Sequence, residues 1–132
     1  MTEIKKITKI ALIWYGVAGL LFAFSYLVLT EIFAWTIMQW PYNDPVTFWS
    51  MGISLLAFGI GSLMAYFKKE WEEIKLLFVV MLMWVLMSLI MDIFIVTLLN
   101  LLATPMMFMI VNIVLLAFNL VLGIYSWMKQ RS

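Results

Sequence analysis

Residues 74–99 read IKLLFVVMLMWVLMSLIMDIFIVTLL, and this stretch decides the fold. Its only charged residues are Lys75 at the start and Asp92 in the second half. A helix needs about 20 apolar residues to cross the hydrocarbon core of a bilayer. This stretch exceeds that length, and its apolar run is too long for a strand.

Working outward, three more stretches qualify. They run from about 10 to 30, 46 to 67 and 106 to 128. The first is expected to continue as an interfacial helix towards Trp40. The connections are short. Lys68-Lys69-Glu70-Trp71-Glu72-Glu73 is a charged turn, and Pro41-Tyr42-Asn43-Asp44-Pro45 is a turn sequence. Asp44-Pro45 reads as an N-cap followed by proline at the first helical position, and Thr104-Pro105 reads the same way. Short links make successive helices antiparallel neighbours. The expected fold is therefore an all-α integral membrane protein. It is one domain over 1–132, a four-transmembrane-helix bundle running up-down-up-down.

Composition agrees. The chain has 132 residues, 67% hydrophobic and 11% charged, whereas a soluble domain is about a quarter charged. The net charge of +1 gives no reason to expect nucleic acid as a partner. Cysteine and histidine are both absent, which excludes disulfides, thiolate chemistry and the commonest general base and metal ligand.

Charge placement sets an orientation. Lys5, Lys6, Lys9, Lys68, Lys69, Lys75, Lys129 and Arg131 are all the cations, and all fall at the N-terminus, the second connection or the C-terminus. The positive-inside rule puts those three places, and so both termini, in the cytoplasm. Trp14, Tyr15, Tyr66, Trp71, Tyr125 and Trp127 are read as the inner aromatic belt, and Trp35, Trp40, Tyr42 and Trp49 as the outer one. The first span is too long for a signal peptide and lacks a convincing cleavage site, so it is read as retained.

Asp92 is the most informative residue. An acid within a span costs roughly 2.5–3.5 kcal/mol on insertion scales, so it is expected to face the bundle interior. Counting 1.5 Å per residue puts it about 7 Å outward of its helix centre. Asn112, Ser25, Tyr26 and Ser54 fall near that depth. Ser88 lies one turn away on the same helix, and Asn119 lies on the same face as Asn112. A polar pocket in the outer half is expected from these residues, with Glu31 as a candidate mouth. Two readings stay open. The groups bond only one another across helices, or they bind a ligand, a proton or a cation.

Met83, Met87 and Met91 form an M-x-x-x-M-x-x-x-M ladder. Thioethers suit Cu(I), and the ladder resembles that of eukaryotic copper transporters, although the Cys and His of those proteins are missing here. The other reading is that methionine fills irregular helix contacts. Ala57-x-x-x-Gly61-x-x-x-Ala65 and Gly19-x-x-x-Ala23 are small-residue stripes, expected to mark close helix packing or a homo-oligomer.

No phosphate loop, nucleophile elbow, H-E-x-x-H or C-x-x-C is present, so no cofactor and no metal site are expected and an enzyme is the least favoured class. Length and hydropathy resemble those of small four-span families such as the DoxX-like proteins. Residues 44–52, DPVTFWSMG, resemble stretches of prokaryotic membrane proteins, which implies a prokaryotic cell membrane. Neither resemblance assigns a role to any residue.

Two functions remain. One is a non-enzymatic accessory or structural subunit, or a binder of a lipophilic small molecule in the outer-half pocket. The other is an oligomeric transporter or channel using Asp92 for a proton or cation. Expected partners are membrane lipids and a homo-oligomer or larger membrane complex.

Overall fold

The structure, a computed structural model, describes residues 2–131. Four long helices make up most of it: α1 (Lys6–Leu27), α2 (Pro45–Tyr66), α3 (Trp71–Leu98) and α4 (Ala103–Arg131). Each is long and apolar enough to cross a membrane. Their outward faces are apolar too. Leu76 is 78% exposed and Leu98 74%, and a soluble monomer does not expose apolar surface on this scale.

Helix ends depart from the expected ones for a physical reason. The apolar run measures the depth of the hydrocarbon layer, but a helix continues wherever its backbone bonds continue. Hence α1 begins at Lys6 and α4 runs from Ala103 to Arg131. Thr104 and Pro105 lie inside the first turn of α4, and the Met106 amide bonds to the Leu102 carbonyl. Thr104 is thus not the residue before the helix. Pro105 is tolerated there because the first amides of a helix have no intrahelical acceptor. The Asp44 cap does form. Its carboxylate accepts from the Val46 and Thr47 amides and from the Thr47 hydroxyl. The Thr47 hydroxyl first, then those amides, hold its carboxyl below the usual range.

After α1 the chain winds into a π-helical segment, Glu31–Ile37. The transition begins where the Leu29 amide reaches back five residues to the Phe24 carbonyl. Gln39, with φ of 55°, ends the segment, and a left-handed non-glycine residue of this kind marks a forced turn.

Packing is unequal. The closest pair is α1 with α2, followed by α3 with α4, while α2 and α3 barely touch along their length. Glycines explain the first pair. A Cβ on Gly19 would lie 3.1 Å from the Gly59 Cα, and one on Gly59 would lie 3.0 Å from the Leu20 nitrogen and 3.1 Å from the Gly16 oxygen. The buried face of α2 is Phe48, Gly52, Leu55, Gly59, Ser62 and Ala65. Only part of the stripe read from sequence falls on this face. Ala57 is exposed, and a Cβ on Gly61 would meet only the Leu77 side chain, at 3.8 Å or more. Of the expected small residues, Gly19, Ala23 and Ala65 are buried.

At one end of the bundle, the start of α1, the α2–α3 turn and the end of α4 are tied together. The Ile4 amide donates to the Lys69 carbonyl and the Trp71 amide to the Thr2 carbonyl. Gln130, 2% exposed, accepts at Oε1 from the Lys5 amide and the Thr8 hydroxyl, and donates from Nε2 to the Glu3 carbonyl. We call this the basic end. Behind it Leu12, Tyr15, Trp71, Ile74, Phe78 and Met81 form a buried cluster. Tyr15 and Trp71 are therefore packed inside the bundle rather than on its outer surface. The opposite end packs Ala34 and Met38 against Phe48 and Met109.

Candidate functional site

Because the glycine face of α2 turns to α1, and α3 pairs with α4, the seam between α2 and α3 stays open. A groove of about 550 Å³ runs there, lined by Val46, Thr47, Ser50, Met51, Ser54, Trp84, Met87, Ser88, Met91 and Asp92. Behind it lies an interior cavity of about 70 Å³ to which all four helices contribute. The two share Met51, Trp84, Ser88 and Asp92.

Asp92 sits at this junction, 6% exposed. Its Oδ2 accepts a hydrogen bond from Asn112 Nδ2 on α4. Its Oδ1 has no partner among the described residues. Every fully buried polar side-chain atom among them does have one, so Oδ1 opens onto the cavity or the groove. Asn112 Oδ1, Ser88 Oγ and the Tyr26 hydroxyl likewise have no hydrogen-bond partner among the described residues and are not fully buried, and their residues also line the cavity. No Lys or Arg lines either space.

Aromatic rings form much of the remaining wall: Tyr15, Phe22, Tyr26, Phe58 and Trp84. Trp84 stacks at a tilt on Phe58, with centroids 4.9 Å apart. Its indole N–H donates to Ser54 Oγ at 2.7 Å. This bond crosses the α2–α3 seam and ties together two helices that otherwise hardly meet. The Tyr15 hydroxyl donates to the Asn119 carbonyl. It can reach that carbonyl because a Cβ on Gly123 would lie only 2.5 Å from the tyrosine oxygen.

The structure thus brings Asp92, Asn112, Ser88, Tyr26 and Asn119 to one cavity, with Ser54 on the adjoining groove. Asn119 Oδ1 is taken by the Trp14 indole. Two of the expected members lie elsewhere. Ser25 donates to the Leu21 carbonyl of its own helix, which satisfies a hydroxyl locally. Glu31 is exposed and lines a separate recess with Thr30, Trp35, Asn43 and Trp49. Five residues after Tyr26, it stands about 140° around a helix of 3.6 residues per turn and so off the face that Tyr26 presents to the cavity. Met83, Met87 and Met91 are each more than half exposed on the outside of α3. Met87 and Met91 border the groove, and Met83 does not.

Sequence reading passed over Trp84. The signal was present, since Trp84, Ser88 and Asp92 follow one another at four-residue spacing and so share a helix face. A tryptophan at mid-span also needs a partner for its N–H. Among the described residues no group of three or more His, Cys, Asp or Glu is placed to hold a metal ion. Comparison with known protein families, curated proteins and solved structures finds no match to this chain.

Proposed function

We propose that this is an integral membrane protein of four spans in up-down-up-down order, with both termini in the cytoplasm. Its function is to bind a lipophilic small molecule at Asp92, either alone or as an accessory subunit of a larger membrane assembly. The observation that carries the reading is the junction itself. A nearly buried carboxylate stands where an aromatic cavity meets a groove open to the side. A molecule dissolved in the bilayer can reach such a site without crossing water, which suits a concave, mostly apolar pocket with a few convergent polar groups.

Orientation rests on the eight cations. All of them lie in the segments that meet at, or flank, the basic end, and cytoplasmic loops carry the excess of Lys and Arg. The cysteine-free sequence makes a direct test simple. In sealed cells, an impermeant maleimide labels Asn43→Cys and leaves Thr2→Cys unlabelled; the reverse pattern overturns the orientation.

The second reading, an oligomeric transporter or channel using Asp92 for a proton or cation, takes its path from contacts between copies of the chain; within one chain Leu12, Tyr15 and Phe78 are at most 1% exposed and pack together.

Binding is tested by native mass spectrometry of the protein released from mild detergent. The expected spectrum shows a retained apolar molecule of defined mass, lost in Ser50→Phe, which puts a ring into the groove. If the parent protein retains nothing, or if Ser50→Phe retains the same molecule, the site is wrong.

A further inference from the structure

We infer that the ligand of this pocket is a lipophilic amine, an alkylammonium head on an apolar tail, entering sideways between α2 and α3. The inference rests on the binding reading above and adds the charge of the occupant.

Three observations converge on it. First, the site is one-sided in charge. As a carboxylate, Asp92 has a free Oδ1 and no cation beside it, because Asn112 is neutral and no Lys or Arg lines the cavity or the groove. A charge in so dry a place is stabilised strongly only by an opposite charge with hydrogen bonds. An ammonium head supplies both, donating to Asp92 Oδ1 and Asn112 Oδ1. A neutral alcohol supplies only hydrogen bonds, and an anion is repelled.

Second, the wall of the same cavity is aromatic, through Phe22, Tyr26, Phe58 and Trp84. Ring faces attract cations, more so where water is excluded. The Trp84 N–H is already given to Ser54, so this residue offers its ring and not a donor. Third, the sizes divide the ligand. The cavity of about 70 Å³ suits a small head, and the groove of about 550 Å³, bordered by Val46, Met51, Met87 and Met91, suits a tail. Methionine adapts to chains of varied shape.

The test uses the full chain in nanodiscs of phosphatidylcholine, whose zero net charge does not concentrate amines at the surface. The probes are a decylamine and a decanol of equal length, each carrying a diazirine in the chain. At pH 7 the amine is protonated, as a lysine is. Photolabelled residues are mapped by peptide mass spectrometry. The expected result is saturable labelling of Met51, Met87 or Met91 by the amine, competed by unlabelled decylamine. The alcohol should bind at least about tenfold more weakly. Asp92→Asn, which keeps the shape of the side chain, should bring the amine down to the level of the alcohol. Equal labelling by both probes overturns the inference about charge and leaves the pocket standing. No saturable labelling by either probe overturns the pocket as well. The amine–alcohol comparison is made on the parent protein, so it stands even if Asp92→Asn does not fold.

Discussion

A single methyl group added at position 59 or at position 61 of α2 distinguishes the packing seen here from the one a small-residue stripe implies. In Gly59→Ala the new Cβ lies 3.0 Å from the Leu20 nitrogen and 3.1 Å from the Gly16 oxygen. Both are backbone atoms of α1, so no side chain can rotate aside, and the two helices must move apart by a few tenths of an ångström. Overpacking of this kind costs about 1–3 kcal/mol. Alanine returns up to about 1 kcal/mol through helix propensity, leaving a net loss of roughly 1–2 kcal/mol. In Gly61→Ala the nearest atoms are the two Leu77 methyl carbons, at 3.8 and 4.0 Å, which is ordinary contact. Only the propensity gain remains, up to about 1 kcal/mol in the stabilising direction. Two chemically identical changes two residues apart should therefore differ by about 2 kcal/mol and in sign. The assay is SDS titration of the protein in mixed micelles, with helix loss followed by circular dichroism. If Gly61→Ala destabilises and Gly59→Ala does not, the α1–α2 interface is misassigned.

Other expectations follow from the ends of the bundle and from its seam. Gln130→Leu keeps the bulk of the side chain but strips partners from the Lys5 amide, the Thr8 hydroxyl and the Glu3 carbonyl. It should cost about 1–3 kcal/mol and speed tryptic cleavage at Lys5 and Lys6; an unchanged cleavage rate would refute the tie. The Asp44 carboxyl is held below its usual 3.8, first by the Thr47 hydroxyl and then by backbone amides. A depressed folded value means that the cap stabilises above 3.8 and is lost as pH falls through the lower folded value. Amide protection at Val46 and Thr47 should therefore drop in strong acid, and in Asp44→Asn it should no longer depend on pH there. Ser54→Ala removes the acceptor of the Trp84 N–H. Hydrogen exchange at the centre of α3 should rise relative to α1, and equal exchange in both variants would show that this bond does not hold the seam.

The site was legible in part. Asp92 with Asn112 came from two local facts, an acid inside an apolar run and an amide at matching depth on another span. Depth along a helix follows from residue counting, because the rise per residue is constant. Azimuth does not follow so simply. Ser25 lies at the same depth as Tyr26, yet the two take different roles, one bonded within its own helix and one on the cavity. Glu31 follows Tyr26 by five residues, about 140° around a helix of 3.6 residues per turn, so matching depth did not put it on the Tyr26 face, and it lines a separate recess.

The sequence by itself determined the number and placement of the long helices, the Asp44 cap and the gathering of the cations into three segments. Each depends on composition or on neighbours a few residues apart, and the cost of an unsatisfied backbone in lipid leaves a long apolar run no option but a helix. Only the tertiary structure decided which faces meet. In lipid there is no hydrophobic force to mark a buried face, since Leu is as well solvated by acyl chains as by another helix. The choice falls to steric fit between particular surfaces, here Gly16, Gly19 and Gly59 against one another's backbones. That choice turns α2 towards α1, leaves the seam to α3 open, and places Asp92 at the back of it.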